Sequence, residues 1–318
     1  MQSLPLTEKY RPSTLAKLQC DNTHKQFFRS FVQNKYIPHM LFHGPSGSGK
    51  TSSIISLAKD LYKENFNMMI MQLNGSDDRG INVIRNNIKN FSKLKNIVCP
   101  QIPKLIILDE ADSMTNDAQS ALRRVMEIYS NNVRFCLICN HYTKLIPAIQ
   151  SRCVIFKFSI PSYKIQHSIV QKICHNENIT IDETILNIII KLSHGDIRKK
   201  INCIEKLQYS NIDTKDCVFL YFFGIHHKIF DDFEQVLLNN TSKRKQNIEK
   251  VIHNIYYEHC IPFVSLFNII IFLATKHKKY KFMNVLSYIE YNYYQGKHSC
   301  IFIYIKFITM CIIKYFND

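Results

Sequence analysis

Gly44-Pro45-Ser46-Gly47-Ser48-Gly49-Lys50-Thr51 fits the phosphate-binding loop pattern G-x-x-x-x-G-K-[ST] in full. Before it, His39 to His43 reads as a short buried strand. After it, Ser52 to Tyr62 repeats apolar residues at helical spacing: Ile54, Ile55, Leu57, Ala58 and Leu61. Glycines between strand and helix let the backbone wrap a phosphate chain. The helix N-terminus then turns unpaired N–H groups and a partial positive charge toward it. In such a loop Lys50 reaches the β- and γ-phosphates and the Thr51 hydroxyl ligates Mg²⁺. ATP and Mg²⁺ are therefore the expected ligands, on an α/β scaffold.

A second stretch completes the expected site. Lys104 to Asp112 reads Lys-Leu-Ile-Ile-Leu-Asp-Glu-Ala-Asp, and Leu105 to Leu108 form the continuous apolar run of a central parallel strand. Ligands of open α/β sheets sit at the carboxyl ends of strands, so the two acids that follow should face the phosphates. Asp109 is the expected Mg²⁺ partner, directly or through a bound water, and Glu110 the residue that orients and polarises an attacking water. Asn140 ends the next candidate strand, where a neutral amide can orient that water.

Candidate strands are Met40–His43, Met68–Leu73, Leu105–Leu108, Arg134–Cys139 and Val154–Phe158, with helices between them. Pro161 marks a break, after which helical spacing dominates. Expected helices include Ile165–Cys174, Asp182–Leu192, Asp196–Leu207, Phe230–Leu238, Lys245–Tyr257, Ile261–Thr275, Lys281–Tyr293 and Ile301–Tyr315. The fold class is α/β followed by all-α. Expected domains are a parallel-sheet ATPase domain (1–160), a small helical domain (161–228) and a further helical domain (229–318).

The 318 residues carry 41 basic and 25 acidic side chains, a net charge of +16. That balance suggests a polyanionic partner besides ATP, with nucleic acid the default. The 11 cysteines are scattered through apolar runs and form no secretory framework, which points to a reducing compartment. Cys136 and Cys139 form a C-x-x-C within an apolar strand, with no second pair at zinc-ribbon spacing, so both read as core residues. The first residues lack the apolar stretch of a signal peptide. Ile261–Ala274 is too short to cross a bilayer. Ser299–Phe316 is interrupted by Lys306 and Lys314 and reads as a core helix.

Several strings carry a resemblance. Leu6-Thr7-Glu8-Lys9-Tyr10-Arg11-Pro12 resembles the N-terminal box of clamp-loader subunits, and Leu73 to Ile81 their Leu-Asn-Ala-Ser-Asp box. Arg134 to Asn140 resembles their sensor 1 strand, Ser151-Arg152-Cys153 their Ser-Arg-Cys box, and Gly195-Asp196-Ile197-Arg198 their sensor 2. All occur in the family order. The chain is similar to small subunits of eukaryotic replication factor C, within the AAA+ ATPases. Its wording most resembles the branch numbered three in yeast and five in humans. Asp109-Glu110-Ala111-Asp112 also spells the DEAD-box helicase signature, but the Ser-Ala-Thr and His-Arg-x-Gly-Arg motifs of that family are absent.

The resemblance implies an AAA+ ATPase domain, a helical lid and a C-terminal collar through which subunits assemble. It implies a Mg²⁺-dependent ATPase, part of a nuclear heteropentamer with four other clamp-loader subunits. That machine loads a PCNA-like sliding clamp onto primer–template DNA in replication and repair. Tyr10, Arg11 and Pro12 would pack around adenine. Gly44 to Thr51 with Ser52 would hold the phosphates, Asn140 would sit with the attacking water beside the γ-phosphate, and Arg198 would reach back to the γ-phosphate. Arg152 would act in trans, completing the neighbouring subunit's site, a contribution on the order of 10³–10⁵ in rate. Arg79, Arg85 and Lys144 would contact DNA phosphates, blind to sequence. Leu18 to Asp21, Ser46, Ser48 and Gly75 depart from the usual family wording without removing a catalytic side chain. The alternatives are a nucleotide-binding scaffold without turnover, or another DNA-associated AAA+ ATPase.

Overall fold

The computed structural model describes residues 4–76, 88–93, 100–210, 212–238, 244–258, 261–295 and 301–315. Two compact units emerge. One comprises Met1–Ile173 with His194–Asn202, the other Cys174–Ser193 with Cys203–Asp318.

The first unit is built on a parallel sheet of β1 (Met40–His43), β2 (Ile70–Asn74), β3 (Lys104–Asp109), β4 (Val133–Cys139) and β5 (Val154–Lys157), in the order β2-β3-β4-β1-β5. Side chains alternate across a strand, so each central strand serves two cores. Met40, Phe42, Leu105, Ile107, Cys136 and Ile138 pack on one face with Phe28, Ile54 and Leu57. Leu41, Ile106, Leu108, Phe135, Leu137 and Cys139 pack on the other with Leu122, Met126 and Ile149. A strand apolar at every position is the consequence, as expected for a buried parallel sheet.

That alternation also settles the C-x-x-C pair. Positions three apart on a strand face opposite ways, so Cys136 and Cys139 lie in different cores and do not converge. Burial pushes both thiols up, that of Cys139 to about 12.

Observed bounds differ from the expected ones mainly at β2, which begins at Ile70 because Phe66–Met69 form a helical turn. Asp196 lies outside the helix it was expected to begin. Its carboxylate accepts from the N–H groups of Arg198 and Lys199 at 2.9 and 3.2 Å, capping the Ile197–Tyr209 helix.

The second unit is all-α among the described residues. Its helices include Glu183–Leu192, Thr214–Phe222, His227–Leu238, Arg244–His253, Phe263–Lys276, Tyr280–Tyr294 and Ile301–Tyr315. Arg244–His253 passes into a π-helical turn, Asn254–Glu258, where one α-helix was expected. Phe230, Phe233, Leu266, Ile270, Leu273, Phe282 and Ile308 are buried in one core. No helix among the described residues is long and apolar enough to cross a membrane.

Candidate functional site

The phosphate loop leaves β1 and enters the Lys50–Tyr62 helix through three glycines with positive φ: Gly44 at 149°, Gly47 at 65° and Gly49 at 92°. Two of them also need the space. A Cβ at Gly44 would sit 2.1 Å from the Phe158 carbonyl oxygen, and one at Gly47 would sit 1.9 Å from Oδ1 of Asp196. Ser48 Oγ closes the turn by donating to the Pro45 carbonyl at 2.7 Å, and Ser53 Oγ donates to that of Gly49 at 2.8 Å. The loop is shaped by its own backbone as a cradle for an anion.

Lys50 is buried, and its ammonium donates to the carbonyls of Gly44 and Pro45 at 2.7 and 2.9 Å and to Asn140 Oδ1 at 3.0 Å. Burial lowers its pKa. Asp109, Cys139 and Asp112 oppose that shift, and the charge of Arg198 adds to it. Thr51 Oγ1 donates to Asp109 Oδ2 at 2.8 Å. A hydroxyl and a carboxylate brought together at a loop built for phosphates are the hard oxygen donors that Mg²⁺ prefers. The residues therefore fit a nucleotide with its metal.

Glu110 follows Asp109 in a left-handed conformation, φ 52° and ψ 39°, uncommon for a residue with a side chain. Its N–H donates to Asp109 Oδ1 at 3.0 Å and its side chain stays exposed. Gly75 lies against it, since a Cβ at that position would meet the Glu110 carbonyl oxygen at 2.7 Å. The turn after β4 is held by Asp112. Its Oδ2 accepts from the N–H groups of Asn140 and His141 at 3.3 and 3.1 Å. Asp112 and Asp196 are the site-shaping residues that sequence reasoning did not single out. Asp112 was in view as the last letter of the acidic string.

The N-terminal segment is tied to the loop's helix. Pro12 accepts from Ser56 Oγ at 2.8 Å, and the Leu15 N–H donates to Asp60 Oδ2 at 2.9 Å. Arg11 is paired with Glu8 at 3.0 Å, and Tyr10 caps the Leu6–Lys9 turn. Ser46 is exposed and Ser52 half-buried.

Arg152 is exposed just before β5 and bonds to Glu127 and Ala148. Lys144 is exposed on a 3₁₀ turn after β4. Arg79 and Arg85 lie outside the described residues.

Two family models match. Residues 40–160 fit the ATPase family associated with various cellular activities (AAA), and residues 168–207 fit the RCF1/5-like AAA+ ATPase lid domain. The chain is 44% identical to "Replication factor C subunit 3" of Saccharomyces cerevisiae over 68% of this chain and 63% of that one. It is 38% identical to "Probable replication factor C subunit 5" of Caenorhabditis elegans over 77% of this chain and 69% of that one. Seven curated relatives, that of Saccharomyces cerevisiae among them, are spanned over 60–65% of their length. Among solved structures, a Thermotoga maritima RuvB mutant superposes with a TM-score of 0.52, at 16% identity, over 72% of this chain and 80% of that one. At that identity the likeness concerns the fold alone.

Proposed function

This chain belongs to the replication factor C subunit family, and from that premise we propose that it is an ATPase subunit of a DNA clamp loader. ATP binding orders five subunits around a sliding clamp and primer–template DNA, and hydrolysis releases the loaded clamp. The observation that carries this reading is the convergence of Lys50, Thr51, Asp109 and Asn140 at the end of β1, β3 and β4.

Each residue takes a role that its chemistry suits. Lys50 turns from the loop carbonyls to the β- and γ-phosphates, and the loop N–H groups with Ser52 complete the cradle. Thr51 and Asp109 would hold Mg²⁺, which supplies charge neutralisation when bound. Glu110 polarises the attacking water, Asn140 positions it, and Arg198 reads the γ-phosphate. Tyr10, Arg11 and Pro12 close the adenine side. Arg152 works in trans on the adjacent subunit, and Lys144, Arg79 and Arg85 meet DNA phosphates. Residues 1–160, 161–228 and 229–318 then act as ATPase, lid and collar, in the nucleus.

Native mass spectrometry of the tagged protein from its own cells is the first test. Four other AAA+ chains in single copies support the reading, and a homo-oligomer overturns the machine. Glu110→Gln in that assembly should lower turnover while ATP binding persists. Unchanged turnover would favour a nucleotide-binding scaffold.

A further inference from the structure

Arg152 does not stand free at the surface. Its Nη2 donates to Glu127 Oε1 at 2.5 Å, and its Nη1 to the Ala148 carbonyl at 2.6 Å. Glu127 sits at the end of the Asn116–Ile128 helix, and the same oxygen lies 3.5 Å from Nε of Arg123 one turn earlier. One carboxylate thus serves two guanidinium groups.

Two consequences follow from that geometry. The planar guanidinium is gripped at both terminal nitrogens, by a side chain on one and a backbone carbonyl on the other, which fixes its orientation. The triad of Arg123, Glu127 and Arg152 also keeps one net positive charge, because two cations share one anion. A lone Arg–Glu pair would present a neutral edge to an approaching phosphate. Here the arginine is held without losing the field that a phosphoryl group responds to. Exposed ion pairs contribute little to stability, so the arrangement is poorly explained as a fold stabiliser.

We propose that Glu127 is a positioning residue for Arg152, presenting its guanidinium in one pose to the γ-phosphate bound by a neighbouring subunit. The proposal rests on the trans role given to Arg152 above. Arg123 supports it by leaving the triad cationic.

The test uses the complete assembly carrying Glu127→Ala, Glu127→Gln, Arg152→Ala, or Glu127→Ala with Arg152→Ala. Steady-state ATP hydrolysis is measured with DNA and clamp present. Misplacing a reacting group by about an ångström can cost up to roughly a hundredfold. Glu127→Ala should lower kcat by about tenfold, with KM unchanged and the melting temperature of the isolated chain preserved. Glu127→Gln, which retains an acceptor oxygen, should recover part of that loss. The double variant should be no slower than Arg152→Ala alone. If Arg152→Ala slows the assembly and Glu127→Ala does not, the positioning role falls and the trans role stands. A rise in turnover with Glu127→Ala, or a loss that adds to that of Arg152→Ala, also overturns the positioning role. If Arg152→Ala itself leaves hydrolysis unchanged, the trans reading fails and the positioning role falls with it.

Discussion

The ammonium group of Lys50 donates to Asn140 Oδ1 across 3.0 Å, joining the start of the loop's helix to the end of β4. The strands make this possible, because β1 and β4 are neighbours and His43 pairs with Cys139 in register. The residue after each strand therefore emerges at the same edge. Lys50→Ala should weaken ATP binding by at least about tenfold, the worth of a hydrogen bond to a charged group. Asn140→Ala should leave binding within about twofold and lower hydrolysis by about a hundredfold, the scale of losing a positioned group in proton transfer. Nucleotide titration and turnover of both variants check the pair. Equal loss of binding in Asn140→Ala would make Asn140 a binding residue.

Gly75 is where this chain departs from the alanine usual in the family it resembles. With a Cβ reaching within 2.7 Å of the Glu110 carbonyl, Gly75→Ala must push a backbone already in the left-handed region. The expected cost is about 1–3 kcal/mol of stability, as for other overpacking changes. A drop in turnover of roughly tenfold should accompany it, since Glu110 would be displaced. ATP affinity should stay unchanged, because the phosphate loop is untouched. Thermal melting and turnover measured together distinguish this from simple unfolding.

His39 makes stability sensitive to acid. Burial, aided by the charge of Arg134, pushes its imidazole down to about 4, and Nδ1 accepts from the Phe135 N–H at 3.1 Å. The folded chain thus holds the ring neutral where an unfolded chain, titrating near 6.5, would bind a proton. The unfolded state binds more protons between those values. The contribution is full above about pH 6.5 and is lost as pH falls toward 4. Allowing for partial exposure of the ring, it amounts to roughly 1–2 kcal/mol. His39→Asn keeps an acceptor and cannot titrate, so its melting temperature should fall less over that window. Parallel pH profiles would remove His39 as the cause.

Lys200 carries the opposite kind of burden. It is fully buried, and its Nζ donates only weakly, to the Asp196 carbonyl at 3.3 Å. Burial pushes the amine down to about 8, against the pull of Asp196. An unfolded lysine titrates near 10.4, so stability rises with pH between those values. Lys200→Met should stabilise the chain at pH 7 by about 1–3 kcal/mol, and the gain should shrink by pH 10. A lower melting temperature at pH 7 would mean that the ammonium is compensated.

The sheet was legible because its strands are apolar runs bounded by loops, as at Leu105 to Leu108, and buried parallel strands read no other way. The nucleotide cluster was legible for a related reason, since loop, acidic pair and asparagine each sit at a strand end. The Thr214–Phe222 helix falls within the expected helical domain, but its bounds are not readable from the sequence. Its sequence from Cys217 to Phe223 is one unbroken apolar run, which hides helical spacing. The Glu127–Arg152 pair was invisible for another reason. The partners lie 25 positions apart and meet only through the packing of the Asn116–Ile128 helix beside Pro147–Gln150. Asp112 was in plain sight, but its task depends on β3 and β4 being adjacent, which no local pattern encodes.

Gly47 lacks a side chain where Asp196 presses in, and the Ile197 N–H reaches back to the Gly47 carbonyl at 3.4 Å. The glycine is therefore a bearing surface as well as a bend. Whatever reshapes the phosphate loop bears directly on the residue that caps the Ile197–Tyr209 helix, with no intervening side chain to absorb the movement. A change in the shape of the loop therefore has a direct route, through packed backbone, to the start of that helix.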